Sequence, residues 1–132
     1  MVRIKDIMSS PVITVSPRNS IQEALEIMRE FNTRRLPVID KGKLVGMLVQ
    51  HDIENALRSP GRIPHTPVEW VMTKKVHFIS PENTATDAAR LMISHKISAL
   101  PVIESERLVG IVTDTDLLQV LIRLMEQVDS SS

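Results

Sequence analysis

Leu36-Pro37-Val38-Ile39, Leu44-Val45-Gly46 and Asp52 return 64 places later as Leu100-Pro101-Val102-Ile103, Leu108-Val109-Gly110 and Asp116. Working outward from these stretches, residues 8–53 align with residues 72–117 without a gap. Of the 46 pairs, 15 are identical, where composition alone gives roughly three. Ser16-Pro17 matches Ser80-Pro81, so the identities gather where strands end and the chain turns. A chain that repeats itself at a fixed offset folds as copies of one unit, so the fold is decided by reading a single copy.

That copy begins with a short β-rich run, residues 12–15, stopped by Ser16-Pro17. Ser20 with Glu23 three places on is a capping-box start for a helix, and Thr84 with Asp87 repeats it. Ile21, Ala24, Leu25, Met28 and Phe31 then fall at helical spacing, as do Ala85, Ala88, Ala89 and Met92, which predicts two core-facing helices. Residues 36–39 and 43–49 read as strands joined by Asp40-Lys41-Gly42, and the second copy turns through Ser105-Glu106 without glycine. A last helix starts near Asp52 and near Asp114. The unit is therefore βαββα, an α/β (α+β) arrangement. Three prolines and a glycine in residues 59–67 predict a linker between a first repeat at 1–58 and a second at 68–128, with 129–132 a polar tail. One unit of about 50 residues buries little surface alone, so two are expected to share a core.

Composition narrows the functions. The chain of 132 residues carries 16 basic and 16 acidic side chains, which gives no electrostatic reason to bind a nucleic acid polymer or an anionic membrane. Its aromatic residues are Phe31, Trp70 and Phe78, too few for base-stacking platforms. There is no cysteine, and no apolar stretch approaches the roughly 18 residues of a spanning helix, so a soluble, cytoplasmic protein is expected. The four histidines, His51, His65, His77 and His95, stand at no metal-ligand spacing, and no metal is expected. No Walker loop or nucleophile, base and orienter set is evident, so no catalytic residue is assigned.

The paired pattern of an apolar strand, Ser-Pro, an alanine-containing helix, Leu-Pro-Val-Ile and Leu-Val-Gly, with an Asp six residues after the Gly, resembles the CBS (cystathionine beta-synthase) domain in tandem, the Bateman module. The resemblance covers residues 4–122. It implies two repeats packed as a pseudo-two-fold pair with ligand clefts between them, binding an adenosine compound (AMP, ADP or ATP) to regulate a partner protein the chain does not name. It leaves open a module for S-adenosylmethionine or a dinucleotide, and a ligand-free dimerisation or interaction scaffold.

The family's ligand signature is complete in Gly110-Ile111-Val112-Thr113-Asp114-Thr115-Asp116. The resemblance implies that Thr113 and the free N–H groups opening the helix meet phosphate while Asp116 accepts from a ribose diol. The alternative reading is that residues 113–116 simply cap the helix. Around them the implied second site takes in Asp114, Val76, His77, Phe78, Ile97, Ser98, Ala99 and Pro101. A weaker first site takes in Thr14, Arg35, Pro37, Val49, His51 and Asp52, where Val49 stands in place of the hydroxyl residue. Val49→Thr is expected to restore a phosphate donor and leave the unfolding midpoint nearly unmoved. Finally, Leu117, Leu118, Val120, Leu121, Ile122, Leu124, Met125 and Val128 cover an apolar arc about twice what one core needs, which predicts a homodimer.

Overall fold

The structure, a computed structural model, describes residues 1–61 and 63–131. Arg62 of the expected linker and Ser132 of the expected tail lie outside the described residues. Each repeat supplies a helix, an antiparallel hairpin and a second helix. In chain order these are α1 (Ile21–Glu30), β1 (Arg35–Asp40), β2 (Lys43–Val49), α2 (Gln50–Arg58), α3 (Ala85–His95), β3 (Ala99–Glu104), β4 (Arg107–Thr113) and α4 (Asp114–Ser131). The mixed helix and strand architecture read from the sequence is thus present twice.

The helix starts follow from local chemistry. Ser20 Oγ accepts the Glu23 N–H (3.0 Å) while Glu23 Oε1 accepts the Ser20 N–H (2.9 Å), and Thr84 with Asp87 does the same at 3.1 and 2.9 Å. The bonds from the Ser20 and Thr84 backbones hold the Glu23 and Asp87 carboxyls below the usual carboxylate range. Ile21, Ala24, Leu25 and Met28 are buried, but Phe31 is 49% exposed, because it follows the last turn of α1 as its C-cap.

The hairpins match residue for residue. β1 pairs with β2 and β3 with β4, with a register shift after Val38 and again after Val102. Lys41 and Gly42 both take positive φ in the first turn; Ser105 and Glu106 take the same conformation without glycine, at a steric cost.

The strand expected over residues 12–15 contracts to one parallel bridge, Val15 with Val38, and its counterpart to Ile79 with Val102. Beyond each bridge the chain turns at once. Asn19 Oδ1 accepts the Ser16 N–H (2.8 Å), Asn83 Oδ1 accepts the Ser80 N–H (2.9 Å), and proline follows with no N–H to continue a ladder.

Two compact units emerge, and their membership differs from the order of the repeats. One is Val12–Val76; the other joins Met1–Pro11 to the chain from His77 onward. The segment leading into each repeat is packed in the unit built around the other repeat's hairpin.

In the second unit, Ile4 is fully buried in a cluster with Ile79, Ala88, Met92, Leu100, Val102 and Val112. Its N–H donates to Asn83 O (2.8 Å), and Ser9 bridges Ile111 through bonds of 2.9 and 3.1 Å. In the first unit, Val68 is fully buried with Ile21, Leu36, Val38, Leu48 and Ile53, its N–H donates to Asn19 O (2.8 Å), and Thr73 bridges Met47 through two bonds of 2.9 Å. The second half of the expected linker is anchored too, for Thr66 is buried and its carbonyl accepts the Ile21 N–H (2.9 Å).

Glycine permits the crossing. A Cβ on Gly46 would lie 2.5 Å from Met72 Sδ, and one on Gly110 would lie 2.5 Å from Met8 Sδ and 3.1 Å from Ser9 O.

Candidate functional site

The signature residues of the second repeat sit where β4 passes straight into α4. Thr113 is the last residue of the strand, and Asp116 lies in the first turn of the helix. The two bind each other. Asp116 Oδ2 accepts the Thr113 N–H (2.8 Å) and the Thr113 hydroxyl (3.1 Å), and Thr113 Oγ1 accepts the Asp116 N–H (3.3 Å).

The Asp114 N–H donates to Ser98 O (2.9 Å) and the Thr115 N–H to Asp114 Oδ1 (2.8 Å). All three of these leading N–H groups are engaged, so the expectation of free donors for phosphate at this helix start is not met. The capping role is present, and it fixes the Asp116 carboxylate at the strand-helix corner.

The neighbouring candidates divide. Ala99 lies opposite Thr113 in the ladder, and Ser98 meets Asp114, so these four gather at the corner. His77 is half-buried and its ring stacks on His95 at 3.6 Å with an interplanar angle of 15°, a face-to-face contact that sequence spacing did not reveal. Phe78 is 59% exposed and Ile97 half-buried. Val76 closes the other compact unit. Pro101 and Pro37 are corrections: both are fully buried, and their carbonyls accept the N–H groups of Ile79 (3.0 Å) and Val15 (3.1 Å) within the sheets. Neither proline presents a surface to a ligand.

In the first unit, Arg35 opens β1 opposite Val49, and the Gln50 N–H donates to Arg34 O (2.8 Å). Thr14, Val49 and Asp52 are half-buried and His51 is exposed. Val49 is the N-cap of α2 and supplies no side-chain hydrogen bond to it. A threonine there would reproduce the Thr113 and Asp116 box with Asp52. Val49→Thr should therefore raise the unfolding free energy by about 0.5–2 kcal/mol in denaturant titration, which replaces the expectation of an unmoved midpoint. An unchanged or lower stability would mean that the hydroxyl finds no N–H partner.

The exchanged leading segments add residues that sequence reasoning missed. Ser9 is placed beside Ile111, two residues before Thr113, and Thr73 beside Met47, two residues before Val49. The available signal was the alignment of Met8-Ser9 with Met72-Thr73 ahead of the two glycines. In the second unit a groove of about 470 Å³ opens along α4, lined by Asp6, Ile7, Asp116, Gln119, Ile122 and Arg123. That volume lies in the range of small-molecule sites. Among the described residues no group of three or more metal-ligating side chains occurs, and no helix is long and apolar enough to cross a membrane.

Comparison with known proteins agrees with this architecture. The CBS domain model matches residues 4–59 and again 68–123. The chain is 40% identical over 117 residues to the CBS domain-containing protein YhcV of Bacillus subtilis, covering 89% of this chain and 84% of that one. It is 41% identical over 106 residues to inosine-5'-monophosphate dehydrogenase of Korarchaeum cryptofilum, covering 80% of this chain but 21% of that enzyme. Among solved structures, the CBS domain pair of protein MJ0100, in complex with 5'-methylthioadenosine and S-adenosyl-L-methionine, superposes with a TM-score of 0.85 at 34% identity. That match covers 92% of this chain and 96% of the other. Two matched domains, two hairpin units and a relative similar over nearly its whole length lead to one conclusion: the chain belongs to the CBS domain family, as a tandem pair.

Proposed function

We propose that the chain is a regulatory module that binds an adenosine compound and performs no chemistry of its own. The observation that carries this reading is the Asp116 corner, where the capping box aims a carboxylate into a groove of ligand size. A carboxylate is an acceptor only, and the two adjacent hydroxyls of a ribose are its natural donors. The similar CBS pair that holds two adenosine compounds supports the same ligand class.

The test is thermal denaturation with adenosine, AMP, ATP, 5'-methylthioadenosine and S-adenosylmethionine. A ligand at 100 times its dissociation constant adds about 2.7 kcal/mol to the folded state, which raises the midpoint in a chain of this size by on the order of 10 °C. No shift with any of the five would favour the scaffold reading.

The module also pairs with a second copy in this reading. Leu118, Leu121, Ile122, Leu124, Met125 and Val128 of α4 are each 44% or more exposed, a continuous apolar face of the kind that marks an interface. Sedimentation at micromolar concentration should give a dimer; a monomer there overturns the pairing.

A further inference from the structure

We propose that the groove along α4 binds the tail of the adenosine compound, and that this tail is zwitterionic or cationic rather than a phosphate chain. The inference rests on the adenosine reading above and specifies the ligand that one site takes. Three charged side chains line the groove, Asp6 and Asp116 against Arg123, and none of them is in an ion pair among the described residues. Asp6 Oδ2 accepts only a long bond from the Arg3 N–H (3.3 Å), and Asp116 Oδ2 is bound by Thr113. The lining therefore presents two unneutralised carboxylates and one guanidinium.

Charge complementarity then selects the ligand. A di- or triphosphate would bring several negative charges against a lining whose net charge is negative. The donors at the helix start cannot offset the conflict, since the Thr113 hydroxyl and the N–H groups of Asp114, Thr115 and Asp116 all have partners, which leaves the Arg123 guanidinium as the one cationic group of the lining. An adenosyl sulfonium amino acid carries the opposite pattern, two positive centres and one carboxylate.

Asp116, Gln119 and Arg123 fall on one face of α4 at spacings of three and four residues. From Asp116 to Arg123 is about 10 Å along the helix axis. With the ribose at Asp116, the Asp6 carboxylate is left for the cationic part of the tail and the Arg123 guanidinium for its terminal carboxylate. Ile7 and Ile122 supply the apolar wall against the methylene chain.

Calorimetry on the full chain separates this idea from the one beneath it. S-adenosylmethionine should bind at least tenfold more tightly than AMP or ATP to the groove site. Asp6→Asn and Arg123→Gln should each weaken S-adenosylmethionine by about tenfold, while binding of 5'-methylthioadenosine, which has the nucleoside but an uncharged tail, stays within twofold. If 5'-methylthioadenosine binds but S-adenosylmethionine gains nothing over it, or if neither substitution distinguishes the two, the tail assignment is wrong and the adenosine reading stands. AMP or ATP binding more tightly than S-adenosylmethionine at this site also overturns the assignment. If none of these compounds binds, the adenosine reading itself fails and the tail assignment falls with it.

Discussion

Ile4→Ala should destabilise the protein by about 2–5 kcal/mol, the cost of deleting a fully enclosed Ile side chain and leaving a cavity. Ile4 is 0% exposed, in contact with the core that holds Ile79, Leu100, Val102 and Val112. Its backbone is fixed at both ends, by donation to Asn83 O (2.8 Å) and by accepting the N–H groups of Ile7 (3.0 Å) and Met8 (2.9 Å). Ile93→Ala provides the control. That side chain is 79% exposed, and its loss should change stability by less than about 0.5 kcal/mol. Urea titration of the two variants side by side measures the contrast. An Ile4→Ala cost below about 1 kcal/mol would mean that the leading segment is not part of the second unit's core.

Gly110→Val should cost a further large amount, about 1–3 kcal/mol or more, through overpacking rather than loss of contacts. The added Cβ would fall 2.5 Å from Met8 Sδ, 2.9 Å from Met8 Cγ and 3.1 Å from Ser9 O. A methionine tip can move, but the Ser9 carbonyl is held by the Ile111 N–H (3.1 Å) and yields only if the bridge opens. The comparison with Gly42 separates packing from backbone strain. Gly42 has φ +80° and open space around its missing side chain, so substitution there is penalised by conformation alone. Pairing Gly110→Ala with Met8→Ala tests the contact itself. If Met8 is the obstacle, the double variant should recover about 0.5–3 kcal/mol relative to the sum of the single effects. Additive effects would exclude it.

What the sequence made legible was the chemistry that acts over a few residues. The capping boxes at Ser20 and Thr84, the apolar faces of α1 and α3 and both hairpins depend on neighbours within four residues or on one short turn, and apart from Phe31, which lies past the end of α1, they stand where their signals predict. The exchange of leading segments was not legible, because it joins residue 4 to residue 83 and residue 9 to residue 111. Its trace was present as two glycines inside strands and two methionines at matching places. Glycine in a strand marks a close backbone approach without naming what approaches.

The site divides in the same way. Thr113 and Asp116 were readable as a pair, and the structure shows the hydroxyl taking part in the helix cap. Pro37 and Pro101 entered the candidate sites only through the family resemblance, and the structure buries both, with their carbonyls bound by the Val15 and Ile79 N–H groups. Asp6 and Arg123 carried no motif at all, since they meet only through the groove.

The central claim is that the Asp116 carboxylate receives a ribose diol, and the most direct measurement edits the ligand rather than the protein. Substituting Asp116 would also break the cap on α4, so affinity and stability would change together. Removing the two hydroxyls from the ligand leaves the protein intact. Calorimetric affinities of 5'-methylthioadenosine and its 2',3'-dideoxy analogue should differ by about 1.5–3 kcal/mol, roughly 10- to 150-fold, the value of a hydrogen bond to a charged acceptor. Equal affinities for the two would show that the ribose does not meet the carboxylate, and would contradict the account.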